Sequence, residues 1–288
     1  MKKLYIIIIL ALSIAACNKT DDIINTGNVP PPDYTIDSAV INIYITKVYI
    51  NLLGREPLGT ERGKALTALR QNNFTLANRK QFVTALFSKP EYFQTLFAVA
   101  NNEYLRNTDS FEIEENIFIF NGLLQDPQYA PFYEEFQLEI ARLDTLKTTL
   151  LNLAAGTVSY RQMLYNISNN YIYDQINMGS ENFVVSMYQN FLFRYPSDAE
   201  LIAGKTMVDG NTATVFLKVG KTKANYISIF FGTDDYYEGQ VRFIFKKYLF
   251  REPSSAEIYL FANYYKQNED YKAMELEFFA MDEYAGIK

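Results

Sequence analysis

The chain has 288 residues, 49% hydrophobic, 16% aromatic and 21% charged, with a formal net charge of -6. It contains no His, no Trp and one Cys, against 23 Tyr and 22 Phe. Those counts set aside the commonest general base and most zinc and copper sites, an internal disulfide framework, and the basic face a nucleic acid requires. The remaining expectation is an acidic, aromatic-rich globular chain with no metal, no cofactor and no nucleic-acid partner.

Residues 1–16 read as a targeting segment. Lys2 and Lys3 precede an apolar run from Leu4 to Ile14 that is too short to span a bilayer and fits a signal-peptide core. The run ends in Ile14-Ala15-Ala16-Cys17, which resembles the lipobox of bacterial lipoproteins, small residues before a Cys that becomes the acylated first residue. The only Cys of the chain stands at that one position, which favours this reading over an ordinary signal peptide. An acylated Cys17 would anchor the protein to a membrane without spanning it. Residues 17–35 carry no apolar periodicity and include Pro30-Pro31-Pro32, the composition of a semi-rigid tether. Lys19-Thr20-Asp21-Asp22 resembles the acidic signal that sends Bacteroidetes lipoproteins to the cell surface, so an outer-membrane, outward-facing location is expected ahead of the periplasmic face.

From Thr35 onward apolar residues recur at three- and four-residue spacing, the mark of amphipathic helices. A first helix is sketched by Val40, Ile43, Tyr44, Val48, Ile50 and Leu52, and further helices are expected over residues 78–87, 91–105, 112–124, 132–143, 160–173 and 181–193. Residues 212–219, with β-branched side chains, are the one candidate strand. The expected fold class is all-α, a multi-helix array of roughly ten to twelve helices.

A repeat organises this array. Residues 48–61 read VYINLLGREPLGTE, residues 187–200 read MYQNFLFRYPSDAE and residues 244–257 read IFKKYLFREPSSAE. All three share an aromatic (Tyr49, Tyr188, Phe245), a Leu four residues on, then Arg55, Arg194 or Arg251, Pro57, Pro196 or Pro253, and Glu61, Glu200 or Glu257. Each copy is followed by an acidic-Tyr pair, Glu91-Tyr92, Asp235-Tyr236 or Glu283-Tyr284. An aromatic and a Leu at i, i+4 share a helix face. Arg at the C-terminus meets the negative end of the dipole, and Pro stops the helix. Ser197-x-x-Glu200 and Ser254-x-x-Glu257 are capping boxes for the next helix. Arg and Glu can also pair across the turn. The expected segments are repeat 1 at 36–93, an insertion at 94–180 (favoured over a degenerate fourth unit), repeat 2 at 181–240 and repeat 3 at 241–288.

These residues resemble the Leu-Gly-Arg-Glu-Pro helical repeat of phycobilisome linker domains and related secreted bacterial domains of unknown function. Copy one matches best, with Ser88-Lys89-Pro90-Glu91-Tyr92 close to the family's closing motif, although Leu58 replaces the Ser cap. Phe193 and Phe250 stand where the family has Gly, and Tyr195 where it has Glu. The resemblance implies a scaffold or protein-interaction role and carries no catalytic residues.

Other chemistry finds little footing. Glu134/Glu135, Asp234/Asp235 and Asp282/Glu283 are sequence neighbours, which point in different directions on a helix and make poor pairs for glycoside hydrolysis. First-turn dipole complement or solvated surface explains them better. No phosphate loop or EF-hand spacing occurs. The repeated Arg and Glu side chains read as architecture before they read as ligand sites. The expected function is a membrane-anchored scaffold binding another envelope protein. A glycan- or small-molecule-binding lipoprotein is the alternative, and a carboxylate-based envelope hydrolase a more distant one.

Overall fold

Apolar faces at helical spacing leave each helix needing a partner, and the chain supplies it by folding helices back on one another. A computed structural model describes residues 36–267 and 269–287, which pack as one unit. The fold is 75% helical, with fifteen α-helices among the described residues and one two-stranded sheet.

Repeat 1 is built from α1 (Ser38–Leu53), α2 (Gly59–Gln71), α3 (Leu76–Leu86) and the start of α4 (Pro90–Leu105). The insertion continues α4 and adds α5 (Ser110–Leu123), a 3-10 turn (Pro127–Phe132), α6 (Tyr133–Ala154), α7 (Tyr160–Ser168) and α8 (Tyr171–Ile176). The single helix expected over 160–173 is broken because the Asn170 side chain leaves the helix and caps the next one, accepting from Tyr173 N at 3.1 Å. Repeat 2 comprises α9 (Ser180–Leu192), α10 (Asp198–Val208), a hairpin of β1 (Ala213–Val215) and β2 (Lys218–Gly220), and α11 (Lys223–Phe231). The antiparallel strands turn through Phe216 and Leu217, both at positive φ. Then α12 (Asp234–Leu249) closes repeat 2 and opens repeat 3, which goes on through α13 (Ser255–Lys266), α14 (Tyr271–Ala280) and α15 (Asp282–Ala285). A segment boundary at residue 240 therefore falls inside a helix that serves both units.

The first and third repeats meet although they lie some two hundred residues apart in sequence. Tyr44 of α1 sits edge-on to Tyr284 of α15 at 6.2 Å, and Asn51 donates to the Tyr284 hydroxyl at 2.7 Å. Arg79 of α3, only 1% exposed, donates Nε to the Ala280 carbonyl at 2.7 Å, one Nη to the Phe74 carbonyl at 2.6 Å and the other to the Asp282 carboxylate. A buried guanidinium without such partners would cost several kcal/mol, so this closure is specific. Repeat 2 meets the insertion through α9 and α11, with Tyr104 against Phe191 at 4.7 Å and Lys223 on the Asp174 carboxylate, and passes into repeat 3 through α12. Gly239 there lies so close to α9 that an added Cβ would stand 1.9 Å from the Phe191 carbonyl oxygen. We expect Gly239→Ala to lower stability by about 2–3 kcal/mol, the overlap outweighing alanine's better helix propensity. A denaturant midpoint equal to or above that of the parent would contradict this packing.

Candidate functional site

Each repeat turn begins with a residue in the left-handed conformation after the first helix, Gly54 (φ 68), Phe193 (φ 56) or Phe250 (φ 56). That reversal folds the following Arg back over its own helix. The Arg55, Arg194 and Arg251 guanidiniums lie over the rings of Tyr49, Tyr188 and Phe245, with the central carbon 5.7, 4.8 and 4.8 Å from the ring centres. One Nη donates to the next residue's carbonyl, that of Glu56, Tyr195 or Glu252, at 3.1, 3.3 and 3.0 Å.

The same guanidinium then grips Glu61, Glu200 or Glu257 through two parallel hydrogen bonds of 2.6–3.1 Å. Those Glu side chains also accept from the backbone N–H of Leu58, Ser197 and Ser254 at 2.9, 2.8 and 2.7 Å. Ser197 and Ser254 complete capping boxes, whereas Leu58 has no acceptor and leaves only the glutamate half. Pro57, Pro196 and Pro253 occupy the extended step between αL residue and N-cap, where a fixed φ suits the chain and no donor is needed.

A third contact closes the arrangement. Arg55 bonds Glu91 at 3.1 Å, Arg194 bonds Asp235 at 2.8 Å, and Arg251 bonds Glu283 at 2.7 and 2.5 Å. These acids stand in the first turns of α4, α12 and α15. The Tyr after each acid turns inward and is buried, with the Tyr92 hydroxyl on Glu275 (2.6 Å), Tyr236 on Tyr265 (2.9 Å) and Tyr284 on Asn51 (2.7 Å). Bonding to Arg55 holds the Glu61 carboxyl far below the ordinary carboxylate range, and Arg194 and Arg251 hold Glu200 and Glu257 at about 2. The arrangement is a clamp that ties a turn to the start of a returning helix, with its donors directed to groups of the same unit.

The acidic doublets divide their work. Asp234 pairs with Lys266 at 2.5 Å while Asp235 enters the second clamp, and Asp282 meets Arg79 while Glu283 enters the third. Glu134 and Glu135 are exposed in the first turn of α6. None of these doublets aims two carboxylates at one space. Among the described residues no group of three or more His, Cys, Asp or Glu is placed to hold a metal ion. Cys17 and the tether lie outside the described residues. No helix among the described residues is long and apolar enough to cross a membrane.

Two buried ionisable groups escaped the sequence analysis. Arg79 occupies the apolar face of α3 with Val83 and Leu86, at i, i+4 and i+7, a charge on a core stripe that the spacing alone displays. Glu275 of α14 is 2% exposed, beside a small cavity lined by Tyr92, Tyr160, Tyr248 and Tyr271, and burial pushes its carboxyl up to about 8. A wider groove of about 390 Å³ runs between α12 and α13, lined by Tyr237, Tyr259, Asp234, Glu238, Arg242 and Asn263.

No family model, curated protein or solved structure matches the chain.

The clamps and Glu275 give opposite pH dependences. Carboxyls held low in the folded state stabilise it above pH ~4.3, and that contribution is lost as pH falls toward 2. Arg251→Ala should therefore cost roughly 1–2 kcal/mol at neutral pH and flatten the fall in Tm between pH 5 and pH 2. A Tm equal to the parent's at pH 7 would show that the third clamp is idle. Glu275 stays protonated when folded but ionises when unfolded, so it destabilises progressively from pH ~4.3 up to about 8. Glu275→Gln keeps the acceptor for Tyr92 and should raise Tm by about 5 °C at pH 8, a gain that vanishes below pH 4. A pH-independent shift would contradict the buried carboxylic acid.

Proposed function

We propose that the chain is a lipid-anchored helical scaffold of the bacterial outer membrane, displayed on the cell surface, that works by binding another envelope protein. The observation carrying this reading is that the Arg of every repeat is committed to its own aromatic, Glu and returning acid. The most distinctive residues of the sequence thus build a rigid frame. The turn that they form resembles that of phycobilisome linker domains, whose role is assembly. The lone Cys17 after Ile14-Ala15-Ala16 supports the anchor, and Lys19-Thr20-Asp21-Asp22 supports export to the outer face.

Binding of a glycan or small molecule is the second reading, favoured by the groove between α12 and α13. Its volume of about 390 Å³ lies within the range of ligand sites, and its mix of rings, carboxylates, a guanidinium and an amide suits a hydroxyl-rich molecule.

Cys17→Ala should move the protein from the membrane fraction to the soluble fraction of fractionated cells, and continued membrane retention would sink the anchor. Chemical crosslinking of intact cells should yield a discrete protein adduct. Saturable binding on a glycan array, abolished by Tyr259→Ala, with no protein adduct on cells, would transfer the assignment to the second reading.

A further inference from the structure

The inserted hairpin α5–α6 is unlike the rest of the molecule in charge. Residues 109–154 hold nine Asp and Glu against Arg142 and Lys147, a net charge of -7 that exceeds the -6 of the whole chain. Two of these acids are neutralised locally, Glu114 by Lys147 at 2.7 Å and Glu139 by Arg142. Among the described residues no Lys or Arg pairs with Glu112, Glu115, Glu134 or Glu135, all of which face solvent.

The same hairpin is also apolar on the outside. Helix α5 buries Ile113 and Phe120, and Phe120 packs on Phe136 at 5.6 Å and Tyr171 at 5.0 Å. With the core face settled, the opposite face should be polar. It carries instead Phe111 and Phe118, 73% and 77% exposed, with Ile119 beside them. Phe111 and Phe118 are seven residues apart, so they stand on one line about 10 Å apart with Glu115 between them.

We propose that this face of α5 is a docking surface for a protein partner presenting an apolar groove rimmed by Lys and Arg. The proposal rests on the scaffold reading and says where that scaffold binds. Two Phe side chains on a helix already fixed by its inner face are preorganised anchors of the helix-in-groove kind. Carboxylates around them select a basic rim and speed its approach. An anionic lipid surface would repel a hairpin of net -7. A second copy of the chain would bring two such hairpins face to face.

The chain has no Trp, so Phe118→Trp installs a single indole, excited apart from the 23 Tyr, at the centre of the surface. The defined probe is a synthetic amphipathic helix of Leu and Lys, compared with its Leu/Glu counterpart and with phosphatidylglycerol vesicles. The expected result is a saturable blue shift of the indole emission with the Lys peptide only. Its Kd should rise with added salt and rise at least tenfold when Phe111→Ser is added. Thermal melts of the two variants should match the parent, because both positions face away from the core. The surface is overturned by a Kd unchanged on Phe111→Ser, or by a blue shift with vesicles in place of the Lys peptide. It is equally overturned by self-association in sedimentation that Phe111→Ser abolishes. The scaffold reading fails separately, when crosslinking of intact cells gives no protein adduct on any face.

Discussion

The fold depends on the guanidinium of one residue used three times. An Arg side chain offers five N–H donors in a flat fork, and the repeat gives them a carbonyl and two carboxylates while laying the flat face on an aromatic ring. One side chain thereby fixes the angle of the turn, the start of the second helix and the arrival of the fourth. The acid and the Tyr after it are adjacent on a helix, about 100° apart, so when the acid reaches the clamp the Tyr must enter the core. The clamp is half-exposed, with side-chain exposures of 31%, 39% and 33% for the three Arg. Each therefore adds only about 1–2 kcal/mol alone. Its larger consequence is register, because a slipped fourth helix would strand a carboxylate and bury the wrong face.

Core chemistry locks the units to one another. Phe would fill the same space as Tyr92, Tyr236 and Tyr284, but a hydroxyl needs a partner when buried. Each finds it on another helix: Tyr92 of α4 on Glu275 of α14, Tyr236 of α12 on Tyr265 of α13, and Tyr284 of α15 on Asn51 of α1. Two of these bonds, with Arg79, stitch repeat 1 to repeat 3. The insertion is stapled in the same style, with Tyr160 stacked on Tyr271 at 3.8 Å and Arg161 bonded to Glu269 at 2.6 Å.

What could be read in the sequence were the interactions made within a few residues of themselves. Helix faces, the capping boxes at Ser197 and Ser254 and the Arg-x-Pro turn are local, so spacing reveals them. The acidic-Tyr pairs were visible as a pattern, but their purpose was not, because Glu91, Asp235 and Glu283 reach their Arg across 32 to 41 residues. Glu275 was missed for the same reason, its Tyr92 partner lying 183 residues away, whereas Arg79 stood on a legible core stripe and only its partners Ala280 and Asp282 were out of reach. Asn170 shows the opposite limit, a local cap that broke a helix whose apolar spacing continued undisturbed on either side. Cys17 lies outside the described residues, so the reading placed on it rests on the sequence alone.

The departures at Phe193 and Phe250 show how firmly the clamp dictates the backbone. A left-handed residue with a Cβ costs on the order of 1–2 kcal/mol, yet both Phe adopt the conformation that Gly54 has in the first copy. In that copy the space is closed, since a Cβ on Gly54 would stand 3.1 Å from the Thr95 hydroxyl. In the second copy the space is open toward α12, and the Phe193 ring lies 5.9 Å from Phe243 with the Lys246 ammonium over its face. That burial offsets the strain. Phe250 has the same backbone with 89% of its surface exposed, because α15 ends at Ala285, about half a turn beyond its clamp acid, while α12 runs about four turns beyond Asp235. The turn geometry is therefore set by the Arg and its carboxylates, and the residue at the left-handed position is chosen afterwards by whatever helix passes over it.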